Sequence, residues 1–171
     1  HSDAVLRRDG ATLVELIARN VGVKARAVGA DEREQSGTGG RALLNLGHTF
    51  AHAIETIPTL SPDGEAANAP LQHGEAVGLG LVAASACAAA MGLVGPDAVE
   101  AARSSVGGVG LPTAVAGLPD DGALIGRMAH DKKAAGGRLR LVLPTGPAEA
   151  RLVADPPVES VAAGWAAIRA G

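Results

Sequence analysis

The chain has 171 residues, enough for one domain with a core of its own. Apolar residues make up 47% and the formal net charge is −3 with both signs interspersed. This excludes a disordered chain and leaves no basic stripe for nucleic acid. One Phe, one Trp and no Tyr leave Ala, Leu and Val to fill the core, which suits closely packed helices and offers no aromatic platform for single-stranded nucleic acid.

The sequence opens on His1-Ser2-Asp3 with no initiator Met and no basic start before an apolar run. It therefore reads as the edge of a fragment and not as a secretory leader. Residues 11–28 carry Leu13, Leu16, Ile17 and Val21 at three- and four-residue steps, which predicts a helix. Residues 31–40 are polar and glycine-rich and predict a loop. A helical pattern returns over 41–57, closed by Pro58, and 61–70 form a second loop around Pro62, Gly64 and Pro70. Residues 73–93 predict a helix of small side chains. The apolar run 76–94 within it is about as long as a membrane span requires, but its alanines and glycines point to burial in protein. A helix follows Gly95-Pro96-Asp97 to about Ser105, and residues 107–117 are punctuated by Gly and Pro. Residues 120–133 predict another helix, with Asp120 or Asp121 as its cap. Residues 138–143 alternate as a strand, 144–147 turn, and 150–153 return, giving one small β-hairpin before a terminal helix over 158–170. The fold class is mainly α. The single cysteine, Cys87, lies in an alanine run and reads as a small core residue; without a disulfide framework the chain fits a reducing cytoplasm.

The chemistry concentrates in the segment 41–55. On one α-helix, Arg41, Asn45, His48 and His52 fall within an arc of about 60°, with Glu55 at its edge. A solvated face ordinarily carries Glu and Lys. A guanidinium, a carboxamide and two imidazoles instead make oriented hydrogen bonds and bind metal. His48 and His52, at i and i+4, suit two ligands on one ion or a ligand and a base. His73 begins the next helix, and an antiparallel return brings it to the same face. Two nitrogens from separate helices with a carboxylate would make an open site for a divalent ion, with Glu75 as that carboxylate or as a partner orienting a histidine. His130 precedes Asp131-Lys132-Lys133, which also reads as solvated charge at a helix end. Gly37, Gly39 and Ala42 loosely imitate the G-x-G-x-x-G/A dinucleotide-binding fingerprint, but the residues before them form no apolar strand, so that reading fails. The loop could still present amides and Arg41 to an anion.

These blocks occur together in a known order. Lys24-Ala25, Asp31-Glu32-Arg33-Glu34, Arg41 through Phe50, His52 through Glu55, His73 through Val77, Asp131-Lys132-Lys133 and Arg138 through Pro144 resemble 3-dehydroquinate synthase, a sugar phosphate cyclase. The spacer 35–40 is longer and richer in glycine than that family's, and the loop 61–70 looks enlarged. The resemblance implies a two-domain enzyme. Its N-terminal α/β domain binds NAD and is absent here, so that 1–171 is the C-terminal helical domain holding metal and substrate. It implies His48 and His73 as metal ligands for Zn2+ or Co2+, with a third, glutamate ligand upstream, which leaves Glu75 in a supporting role. His52 is then the proton-transfer residue and Glu34 an acid near the site. Lys24, Arg41, Asn45 and one of Lys132 or Lys133 would hold carboxylate, hydroxyls and phosphate. The implied reaction converts 3-deoxy-D-arabino-heptulosonate 7-phosphate to 3-dehydroquinate: transient hydride removal by NAD, phosphate elimination, hydride return, ring opening and an internal aldol closure. The implied setting is a cytoplasmic homodimer acting on a small molecule, with no nucleic acid or membrane partner and the isolated fragment inactive. Rival expectations are a sister cyclase such as 2-deoxy-scyllo-inosose synthase, a metal-dependent dehydrogenase of the glycerol dehydrogenase type, and a helical dimerisation module using the small-residue helix.

Overall fold

A computed structural model describes residues 2–30, 40–134 and 138–170, without the side chains of 30 and 129–134. In chain order the elements are α1 (Ser2–Leu6), α2 (Gly10–Ala30), a 3-10 helix (Gly40–Asn45), α3 (His48–Glu55), a short 3-10 turn (Ala66–Asn68), α4 (His73–Ala90), α5 (Asp97–Gly107), α6 (Asp121–Ala134), the strands β1 (Arg140–Gly146) and β2 (Glu149–Ala154), and α7 (Val158–Ile168). The chain is mainly α with a single antiparallel hairpin among the described residues.

Helix α4 is the axis of the core. Ala76, Leu79, Val82, Ala83, Ala84, Cys87 and Ala88 along it are all fully buried. Its length and composition would allow it to cross a membrane, yet most of it lies inside the protein, as its small residues predict. Those residues let other helices approach closely. A methyl group on Gly164 of α7 would stand 2.8 Å from the Ala83 carbonyl oxygen of α4. Phe50 of α3 meets Trp165 of α7 edge to face, ring centres 4.8 Å apart, and both are buried. Val106 of α5 packs over Gly78, and Leu141 and Leu143 of β1 complete the cluster.

The hairpin pairs Leu141 with Val153 and Leu143 with Arg151, as the alternation predicts. Its turn falls later than expected. Pro144 pairs with Ala150 and Gly146 with Glu149, around a bulge, so residues 144–146 belong to the strand and the reversal occurs at Pro147 and Ala148. Ala148 takes the positive φ, 58°, that such a tight reversal demands. Asp120 rather than Asp121 opens α6, its carboxylate accepting from the Ala123 N–H at 2.9 Å.

Helix α2 departs from expectation in its surroundings. Leu13 and Leu16 are half-buried, but Ile17 and Val21, expected on the same apolar face, are exposed, as is Val14. Helix α2 packs chiefly on the 3-10 helix, which places Lys24 above Arg41.

Candidate active site

The predicted single helix over 41–57 is two pieces. Residues 40–45 are a 3-10 helix, Gly47 turns left-handed with φ 77°, and α3 begins only at His48. The cause lies in the neighbouring helix. A methyl group on Gly47 would stand 2.8 Å from the carbonyl carbon of Gly80 in α4, and one on Gly80 would stand 2.3 Å from the Gly47 oxygen. Two glycines thus put backbone against backbone, and only glycine adopts that φ without strain. Arg41 and Asn45 are therefore not on the stripe of α3.

They nevertheless reach the same cleft. Lys24 and Asn20 from α2, Arg41 and Asn45 from the 3-10 helix, and His48 from α3 line an open space of about 460 Å³. Asn20 escaped the sequence reading. Its one local signal is that it sits one helical turn before Lys24.

The histidines converge as the spacing predicts. The His48 and His52 ring centres are 5.8 Å apart, those of His48 and His73 5.7 Å, and those of His52 and His73 6.5 Å. The i, i+4 relation on α3 brings the first pair together. The third ring arrives because α4 starts beside the end of α3. His52 also faces a second space of about 430 Å³, bordered by Thr49, Thr56 and Arg127. Arg127 of α6 donates from Nε to the Ala53 carbonyl at 2.7 Å and from Nη2 to Thr56 Oγ1 at 2.8 Å, which fixes α6 against the end of α3.

The His48 and His73 rings each have one nitrogen anchored. His48 Nδ1 lies 3.2 Å from the Leu46 carbonyl oxygen, and His73 Nδ1 lies 2.8 Å from Glu55 Oε2. A carbonyl and a carboxylate only accept, so each Nδ1 carries the proton and donates. In the neutral imidazole the lone pair then resides on Nε2, the form in which histidine binds a metal. Two imidazoles bound to one tetrahedral ion at about 2.0–2.1 Å put their ring centres roughly 5 Å apart, close to the spacing of His48 and His73. The pair therefore fits such an ion. No set of three His, Cys, Asp or Glu side chains among the described residues is grouped tightly enough to hold one unaided.

Glu75 does not fill that gap. Its carboxylate accepts from the Gln72 N–H at 2.7 Å while the Gln72 side chain accepts from the Glu75 N–H. This capping box commits Glu75 to the start of α4, neither ligating nor orienting a histidine. The orienting carboxylate is Glu55, which the sequence marked only as an edge of the stripe. Glu34 lies outside the described residues. Lys132 and Lys133 belong to the last turn of α6, and their side chains, like that of His130, are likewise outside the description.

The fold has a counterpart in a solved structure. It superposes on part of ValA, a 2-epi-5-epi-valiolone synthase from Streptomyces hygroscopicus subsp. jinggangensis 5008 solved with NAD+ and Zn2+ bound. The TM-score is 0.72 over 95% of this chain and 41% of that one, at 20% identity, a likeness of fold. The sequence is more specific. Residues 1–134 match the family described as 3-dehydroquinate synthase C-terminal, and the chain belongs to that family. It is 46% identical over 153 residues to the 3-dehydroquinate synthase of Xanthomonas campestris pv. campestris (strain 8004), covering 89% of this chain and 40% of that protein. It is 44% identical over 154 residues to that of Xylella fastidiosa (strain M12), covering 90% and 40%. It is 42% identical over 156 residues to that of Caulobacter vibrioides (strain NA1000 / CB15N), covering 89% and 40%. The chain thus spans about two fifths of the length of these relatives.

Proposed function

We propose that residues 1–171 are the metal- and substrate-binding domain of a 3-dehydroquinate synthase. The complete enzyme would convert 3-deoxy-D-arabino-heptulosonate 7-phosphate to 3-dehydroquinate with loss of phosphate, as a cytoplasmic homodimer. The observation that carries this reading is the anchored pair His48 and His73, each donating from Nδ1 and 5.7 Å apart at their ring centres. In the complete enzyme a Zn2+ or Co2+ ion would supply Lewis acidity at the substrate hydroxyl, and NAD, held mainly by an upstream domain, would supply a reversible hydride acceptor.

This chain's own residues would divide the remaining tasks. His48 and His73 hold the ion through Nε2, with a third ligand from upstream. His52, exposed on the space bordered by Thr49, Thr56 and Arg127, accepts and returns a proton. Lys24 and Arg41 face the anionic groups of the substrate from two sides of one cleft, and Asn45 hydrogen-bonds hydroxyls. Glu34 and one of Lys132 or Lys133 join by family resemblance. The synthase reaction is favoured over a sister cyclase because relatives at 42–46% identity carry that name, whereas the valiolone synthase is only 20% identical.

Zinc titration of the chain tests the assignment. His48→Ala and His73→Ala should each remove the chain's zinc binding, and His52→Ala should leave most of it. Equal losses at all three would sink the division between ligand and base, and binding indifferent to all three would sink the metal site.

A further inference from the structure

We propose that Glu55 is a positioning residue that sets the His73 ring for metal, an inference resting on the reading of His48 and His73 as ligands. Glu55 ends α3 and His73 begins α4. Their contact, 2.8 Å from Nδ1 to Oε2, spans the loop between the helices. The His73 side chain is 62% exposed, so packing alone does not select its rotamer. The carboxylate does so, itself half-buried at 27% exposure. It holds the ring 5.7 Å from that of His48. It also fixes the Nδ1–H tautomer and leaves the lone pair on Nε2.

A purely structural reading of the pair competes with this one. Exposed ion pairs contribute little to stability. The start of α4 is moreover secured separately by the Gln72–Glu75 capping box, so the fold does not need Glu55 there. The two ligands are oriented by different means. His48 leans on a backbone carbonyl two residues earlier, which the sequence cannot easily change. His73 depends on one side chain from another helix, and that dependence can be removed by mutation.

The test uses the 171-residue chain with Co2+ and Zn2+ as probes, comparing Glu55→Ala, Glu55→Gln and His73→Ala. The readouts are the dissociation constants, the visible absorption of bound Co2+, and the melting temperature without metal. Glu55→Ala should weaken binding roughly 10–100-fold and alter the Co2+ spectrum, with the metal-free melting temperature unchanged. Glu55→Gln, which keeps an acceptor oxygen but no charge, should fall between Glu55→Ala and the parent. Unchanged affinity in Glu55→Ala overturns the proposal. So does a loss as complete as that of His73→Ala, which would make Glu55 a ligand. If His73→Ala itself binds like the parent, the metal reading fails instead, and the two failures are told apart.

Discussion

Replacing Gly80 with Ala tests the contact that shapes the site. In an ordinary helix interior this change stabilises by about 0.5–1 kcal/mol, because glycine loses more backbone freedom on folding. Here the new methyl would stand 2.3 Å from the Gly47 carbonyl oxygen and 3.2 Å from the Ala51 nitrogen. Both are backbone atoms at the start of α3, so no side chain can rotate away. Overpacking of this kind costs about 1–3 kcal/mol, and rigid neighbours place it at the upper end. Sterics therefore win, with a net loss of about 2 kcal/mol. For a chain of this size that lowers the melting temperature by about 4–8 °C. Gly126→Ala in α6 is the matched control. Nothing lies within 4 Å of its added methyl, so it should raise stability by about 0.5–1 kcal/mol. Circular dichroism melts of the two variants should move in opposite directions. Because His48 follows Gly47 directly, Gly80→Ala should also weaken histidine-dependent zinc binding. If Gly80→Ala stabilises as Gly126→Ala does, the close approach of α3 and α4 is wrong.

Burial pushes the Cys87 thiol up to about 11 from 9.0, so it should resist alkylation by iodoacetamide at pH 8 until the chain unfolds; between those two values the unfolded thiol ionises and the folded one does not, so stability should fall as pH rises through that window. Arg127→Ala removes both hydrogen bonds from α6 to the end of α3 and should cost about 1–3 kcal/mol in urea unfolding; Arg127→Lys should not restore it, since a single ammonium cannot reproduce the guanidinium fork, and full rescue by Lys would refute that role.

Much of the fold was legible because its signals are local. The run of small apolar residues in α4, the alternation in β1 and the aspartate before α6 each depend on a few adjacent residues. What escaped depends on pairings that composition and spacing alone do not reveal. The turn at 147–148 follows from pairing that continues through Pro144 to Gly146, a bulged register invisible in the strand's own composition. Likewise, Glu75 reads by sequence as a ligand or as a partner orienting a histidine, but a carboxylate three residues into a helix after Gln72 forms a cap.

The segment 41–52 brings its polar residues to one cleft by a geometry other than the one periodicity implies. Residues four apart stand about 40° from each other on an α-helix but about 120° apart on a 3-10 helix, so Arg41 and Asn45 do not share a face by periodicity. They meet Lys24 and His48 because α2 lies across the 3-10 helix and because the Gly47–Gly80 contact reorients the chain just before His48. As the chain folds, a methyl group at 47 or at 80 would meet the other helix's backbone. The pair of glycines, 33 positions apart, is the sequence trace of the break, readable only once the two helices are known to touch. The residue types carried the chemistry in advance, since a guanidinium, a carboxamide and three imidazoles are poor choices for a merely solvated surface. Their convergence is set by packing between α3 and α4.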